Sequence, residues 1–338
     1  MRTEEISGQT DALLASAPKL RSAPMVDDSK NGLRFDDRVV IVTGGGRGLG
    51  RSHAMLLASR GALVVVNDPG NGLDGRPEPD DPAGELVNEI VSFGGTAIAD
   101  RNTVATPQGA KSLVEETIQQ FGRVDVVINN AGILRDQAFH NLSEENIRSV
   151  LDVHLLGAFW VTQAAWRGMR ERRYGRIIMT TSVGGLIGNF GQSNYCAAKM
   201  GLVGLTRALS VEGDRYGIRV NAIAPGAATR MTSNLSNQAA SQLSPDLVSP
   251  AVVWLAHEDC ELNGEILCAG GGHLGRFLVI ETQGISVSQP TAEIVRDRWN
   301  EISDTSDFVT AHSIEKSMAL LFNDSDVQVN EKRDGKGE

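Results

Sequence analysis

Cysteine is scarce in this chain: Cys196, Cys260 and Cys268 are the only three in 338 residues. They form no even disulfide framework and no Cys-x-x-Cys pair, so reduced thiols and a cytoplasmic location are expected. His257 with Cys260 supplies too few donors for a metal, and none is expected. No run approaches the roughly 20 apolar residues that a membrane-spanning helix requires, and the N-terminus lacks the apolar centre of a secretory signal. A protein without a membrane partner is therefore expected. Basic residues are outnumbered, 32 against 42 acidic ones, for a formal net charge of −10. That balance excludes nucleic acid as a bulk electrostatic partner but leaves room for a local basic site. What is plentiful is apolar content, 41%, enough for one large domain with tails.

The chemistry concentrates in residues 182–199, SVGGLIGNFGQSNYCAAK. If Ser193 caps a helix through Ala197, Met200, Leu202, Leu205 and Leu209, then Tyr195 and Lys199 lie four apart on one face. An unperturbed phenol titrates near roughly 10, and a fixed cation lowers that value, which makes Tyr195 a usable acid/base. Ser182 ends the apolar run from Ile177 to Thr181, so its hydroxyl can orient the oxygen that meets the phenol. Tyr-x-x-x-Lys alone is a common helix pair worth a few tenths of a kcal/mol. Its weight comes from what precedes it.

Residues 1–34 mix Glu, Asp, Ser, Ala and Pro around Leu13 and Leu14 with no sustained period, and a flexible leader is expected, with Met25 as a second possible start. Val39 to Val42 then reads as a strand buried on both faces. The turn Thr43 Gly44 Gly45 Gly46 Arg47 Gly48 Leu49 Gly50 follows in the spacing TGxxxGxG, and no register matches GxGxxG. Glycines there let backbone approach a diphosphate, and the next helix, Arg51 to Arg60, presents its N-terminus to the anion. A second strand, Leu63 to Asn67, ends in Asp68, where a carboxylate can accept both adenosine ribose hydroxyls. Asp68 favours NAD, because a 2′-phosphate would meet a like charge. Residues 69–82 hold four of the eleven prolines and read as a solvated insertion. Helix Leu86 to Phe93, strand Thr96 to Ala99, a helix opened by Thr106 and Pro107, and strand Val124 to Ile128 complete the alternation. A helix beginning near Ser143 runs towards Tyr174.

A glycine turn, Asn129 Asn130 Ala131 Gly132, a strand ending in Ser182, and Tyr195 with Lys199, in that order, resemble the short-chain dehydrogenase/reductase family over about residues 35–275. The resemblance implies a Rossmann-like, doubly wound parallel α/β sheet of about seven strands, with N- and C-terminal extensions, and a homodimer or homotetramer. It implies hydride transfer between a secondary alcohol and a nicotinamide: Tyr195 exchanges the proton, Lys199 biases its pKa and binds ribose, and Ser182 orients the oxygen. Asn130, Ala131 and Gly132 then line the cofactor cleft, and Pro225 with Gly226 ends the sixth strand, Arg219 to Ala224, over the nicotinamide. The family's amide-contacting Thr is assigned to Thr229, because Arg230 stands at the usual spacing. Its adenine-contacting Asp is replaced by Asn102. Arg47 is a residue type common in the family's NADP-dependent members, so NADP is the second choice. The chief departure is His154, where most members carry an Asn that helps hold a water linking the lysine to solvent; a relay histidine and a structural one are both open.

Within the family, His154, the segment ending at Asp68, Ala-Gly-Ile-Leu-Arg-Asp at 131–136, Tyr-Gly-Arg-Ile-Ile-Met at 174–179 and Gly-Asn-Phe-Gly-Gln at 188–192 resemble the (3R)-hydroxyacyl-CoA dehydrogenase branch of peroxisomal multifunctional enzymes type 2. A (3R)-hydroxyacyl-CoA substrate is implied, with a hydroxysteroid or a small ketone as runners-up. The several negative charges of a CoA ester call for a basic landing site, for which Arg135, Arg230 and Arg276 are candidates. Glu265 to Ala269 should form the seventh strand. Residues 276–338 are an extension with a strand-like Phe277 to Ile280, a helix Thr291 to Ile302 and a polar tail.

Overall fold

Val39–Thr43 forms β1, and every one of its residues is buried, as a strand covered on both faces requires. In the computed structural model, which describes residues 32–232 and 242–310, the chain then alternates. The α1 helix (Gly48–Ser59) leads to β2 (Leu63–Asn67), α2 (Pro82–Ser92) to β3 (Thr96–Asp100), and α3 (Pro107–Phe121) to β4 (Val126–Asn129). Each strand pairs in parallel: Val39 opposite Leu63, Val40 opposite Val126, Leu63 opposite Thr96. Helix starts follow the expected chemistry. Thr106 Oγ1 accepts the Gly109 N–H at 3.2 Å, with Pro107 as the first helical residue, and Ser143 Oγ accepts that of Asn146.

After β4 come α4 (Glu144–Leu151), α5 (Gly157–Arg172), β5 (Gly175–Thr180), the short α6 (Val183–Ile187), α7 (Ser193–Asp214), β6 (Ile218–Gly226), α8 (Ser249–Ala256) and β7 (Ile266–Gly270). The strand order β3-β2-β1-β4-β5-β6-β7 reverses direction of growth between β1 and β4, the switch point at which such sheets open a crevice.

The expected sheet of about seven parallel strands is present and is extended at one edge, while two helix expectations need correction. The sheet has eight strands among the described residues, because β8 (His273–Phe277) adds to β7. Gly271 and Gly272, with φ of 58° and 79°, join the two. A link that short permits only an antiparallel return. The helix expected from Ser143 towards Tyr174 is not continuous: Asp152–Leu156 is a π-helical turn between α4 and α5, with His154 at its centre. Ser193 does not cap α7 but is its first residue; Gln192 stands at the cap without a side-chain hydrogen bond to the helix.

The chain divides into two units, Met1–Arg276 and Phe277–Glu338. The second contains β9 (Ile280–Thr282) paired antiparallel with β10 (Phe308–Thr310), and the expected helix 291–302 is split at Arg298 into α9 (Ala292–Asp297) and α10 (Trp299–Ile302). Thr282 Oγ1 donates to the Ile302 carbonyl. The leader through residue 31, including Met25, and the tail from residue 311 lie outside the described residues. No described helix is long and apolar enough to cross a membrane, and the described residues hold no cluster of metal-ligating side chains.

Candidate active site

A cavity of about 620 Å³ opens at the carboxyl ends of β1 to β6. Its wall on the β1 side is the glycine turn, and steric limits explain the residue choices. A Cβ at Gly44 would stand 2.8 Å from the Ala131 Cα, and one at Gly50 would stand 2.1 Å from the Gly44 carbonyl oxygen. Gly50 therefore packs the turn onto α1 and does not itself line the cavity. Gly48 adopts a φ of +53°, a left-handed value that favours glycine. The α1 N-terminus has no acidic residue in its first turn and no side-chain cap. Its free N–H groups and positive end face the cavity, a fitting cradle for a diphosphate.

Asn130 ties this turn to β4. Its Nδ2 donates to the Thr43 and Gly44 carbonyls at 2.9 and 3.1 Å, while Thr43 Oγ1 accepts the N–H groups of Asn130 and Ala131. Asp68, 9% exposed, lines the cavity at the end of β2. One carboxylate oxygen accepts the Gly46 N–H at 3.1 Å and the other the Gly70 N–H at 2.9 Å. Each oxygen has two acceptor sites, so both keep capacity for a ribose hydroxyl. Asn102 is not among the residues lining the cavity; its neighbours Thr103, Val104 and Ala105 are. The reason is that the Asn102 amide turns back to Asp100 at 2.8 Å and Glu116 at 3.3 Å.

Across the cavity, Ser182, Tyr195 and Lys199 converge. Ser182 stands where β5 gives way to α6, and its hydroxyl is hydrogen-bonded to the phenol of Tyr195. Burial pushes the Tyr195 phenol up, with the Ser182 hydrogen bond acting against that rise. Lys199 is fully buried, 5.5 Å from the centre of the Tyr195 ring, and its Nζ donates to the Thr180 carbonyl at 2.6 Å. Burial pulls the ammonium down to about 7. Spacing alone leads one to expect a fixed cation lowering the phenol. In the structure desolvation acts on both groups at once, raising the phenol and lowering the ammonium.

His154 sits edge-on to Tyr195, ring centres 5.2 Å apart. Its Nε2 lies 3.0 Å from the Ile133 nitrogen and 2.8 Å from the Ile133 oxygen, and its Nδ1 is buried without a partner. Burial and, after it, the Lys199 charge hold its pKa well below the usual histidine range, so the ring is neutral. A neutral imidazole bound to backbone is an anchor for the 131–133 turn. It also explains Gly132, where a Cβ would stand 2.3 Å from the His154 Cε1.

Pro225, Gly226 and Thr229 complete the roof, with the Thr229 methyl the nearest group to Gly48. Arg135 and Arg230 line the cavity; Arg276 does not, and is held by Glu265 at 2.6 and 2.8 Å. Sequence reasoning missed Asn194. Its Nδ2 donates to the Arg135 and Asn146 carbonyls and its Oδ1 accepts the Tyr195 N–H at 2.8 Å, which binds the start of α7 to α4 and to the loop before it. It also missed Asn71, Leu73 and Gly75, cavity residues from the insertion, whose Gly/Pro/Asp composition signals only a loop.

The family profile described as short chain dehydrogenase matches residues 38–240. Peroxisomal multifunctional enzyme type 2 of Mus musculus is 44% identical over 310 residues, covering 90% of this chain and 41% of the mouse protein. The chain thus spans less than half of that relative. The full-length peroxisomal multifunctional enzyme type 2 of Drosophila melanogaster superposes with a TM-score of 0.73 at 38% identity, over 86% of this chain and 50% of that one. A short chain dehydrogenase from Mycobacterium avium superposes with a TM-score of 0.70 at 39% identity, over 80% of this chain and 97% of its own.

Proposed function

From the premise that this chain belongs to the short-chain dehydrogenase family and is an oxidoreductase acting on CH–OH groups, we propose that it interconverts a (3R)-hydroxyacyl-CoA and its 3-oxo form with NAD. The observation that carries the reading is the meeting of Ser182, Tyr195 and Lys199 opposite a glycine cradle in one cavity. The cradle fits a nicotinamide dinucleotide: Gly44, Gly48 and the α1 N-terminus at the diphosphate, Asp68 at the adenosine ribose, Lys199 at the second ribose, and Pro225, Gly226 and Thr229 beside the nicotinamide. Bound there, the nicotinamide supplies the hydride acceptor or donor. The chain's own part is acid/base work. Ser182 holds the substrate oxygen, and Tyr195 takes the hydroxyl proton during oxidation and returns it during reduction. Lys199 supplies the adjacent charge when protonated, and His154 keeps the 131–133 wall in place. Homodimer or homotetramer formation, and a cytosolic location suited to three free thiols, belong to the same proposal.

Two features support an acyl-CoA. Arg135 and Arg230 bring positive charge to the cavity wall. Ile187 and Phe190, 73% and 88% exposed, stand on the segment between Ser182 and Tyr195 and offer apolar surface for an acyl chain. The test compares a 3-hydroxyacyl-CoA with the free acid and with a free hydroxysteroid, at low and high salt. Preference for the thioester that weakens with salt and in R135A and R230A is expected; equal turnover of the free alcohol would replace this reading with a hydroxysteroid dehydrogenase.

A further inference from the structure

Residues 69–82 form a folded strap. The Gly72 N–H donates to the Arg76 carbonyl and that of Glu78 to the Gly70 carbonyl, with a bridge between Asn71 and Pro77. The strap is fastened to the cavity wall: the Leu134 N–H donates to the Leu73 carbonyl at 2.8 Å, and Arg135 Nε to the Asp74 carbonyl at 2.7 Å. Its far end reaches the glycine turn, where a Cβ on Gly46 would stand 2.6 Å from Pro82 and 3.0 Å from Asp68 Oδ2. Strap, glycine turn and Asp68 therefore meet at one place.

At that place the strap engages Arg47. Nη1 donates to Glu78 Oε2 at 3.1 Å and to the Asn71 carbonyl at 3.2 Å, and Nη2 donates to Asp80 Oδ2 at 2.8 Å. Glu78 is shared with Arg230, 3.5 Å away. Half-exposed ion pairs of this kind contribute little to stability. Their consequence is directional, because a planar guanidinium turned to two carboxylates has fewer donors left for a phosphate. Around the glycine turn the carboxylates of Asp68, Glu78 and Asp80 outnumber the guanidiniums of Arg47 and Arg230.

We infer that Glu78 and Asp80 are specificity-determining residues: by holding the Arg47 guanidinium they withhold the one cation of the glycine turn from a 2′-phosphate and so exclude NADP-type cofactors. This rests on the dinucleotide reading of the cavity and deepens it. Asp68 repels the 2′-phosphate directly, while the strap removes the charge that would attract it. Discrimination therefore has two parts, and the second is carried by the insertion.

The experiment measures NADH and NADPH dissociation constants by fluorescence for wild type, E78Q, D80N and E78Q/D80N, all with Asp68 intact. Wild type should prefer NADH. In E78Q/D80N the relative affinity for NADPH should rise by about tenfold or more, an effect of the size that relieving one like-charge contact produces. That gain should shrink with salt and vanish when R47A is added. Single variants cover the case in which the double variant fails to fold, and each should give part of the gain. An unchanged NADPH-to-NADH ratio in variants that still bind NADH would overturn the strap's role alone. Wild-type preference for NADPH, or binding of neither nucleotide, would instead overturn the cofactor reading beneath it.

Discussion

Lys199 Nζ donates to the carbonyl oxygen of Thr180 at 2.6 Å, in a site where the lysine is fully buried. Thr180 ends β5, so the strand carries a backbone acceptor to the lysine beside Tyr195. One hydrogen bond does not replace the hydration of an ammonium, which is why burial brings the group down to about 7. The site therefore stores a charge it can release near neutrality.

That depression makes stability depend on pH. Between about 7 and 10.5 the unfolded chain holds a proton on Lys199 that the folded chain does not, so stability falls as pH drops through this window, by up to about 1.4 kcal/mol per unit. In K199M the slope of unfolding free energy against pH from 8 to 10 should flatten, while turnover falls by about 10²-fold or more. Urea denaturation across that range checks the slope; an unchanged slope would place the titration elsewhere.

In the proposed reaction Tyr195 moves the proton, and Y195F keeps its ring packing against His154 while removing the hydroxyl. Turnover should drop by about 10²-fold or more with NADH affinity retained. Steady-state rates beside nucleotide titration separate this from misfolding. Full activity in a folded Y195F would rule out the acid/base assignment.

His154, neutral and bound to backbone, should act through position. H154N is expected to lower turnover less than Y195F and to leave the pH profile of kcat/KM unmoved. Gly132 provides a sharper check, since G132A places a methyl group against the ring and should cost about 1–3 kcal/mol. Adding H154A should return part of that loss, a coupling that a double-mutant cycle measures directly.

Acid should loosen the contact between α1 and α8. His53 is fully buried, its Nδ1 2.8 Å from Ser249 Oγ, and burial holds its pKa at about 3. The unfolded chain protonates this ring below about 6.5 and the folded one does not, so stability is lost as pH falls from 6.5 towards 3. The melting temperature of H53N should fall less steeply between pH 6.5 and 4.5 than that of wild type.

By itself the sequence determined the alternating strands and helices, the glycine cradle and the identities of Ser182, Tyr195 and Lys199. Apolar runs, caps and short-range spacing are local properties, and local properties are written in neighbouring residues. Even within that reach, the break at Asp152–Leu156 is unannounced, because a π-helical turn keeps the helical pattern of apolar residues on either side. Only the tertiary structure decided what distant groups do to one another. Asn102 turns away from the cavity because Asp100 and Glu116 compete for its amide. Arg276 is occupied by Glu265, His154 is fastened to Ile133, and Arg47 meets Glu78 and Asp80 from 31 and 33 residues away. Charge state, too, was settled there: the low pKa of Lys199 and the raised one of Tyr195 follow from burial, which depends on every element packed around them.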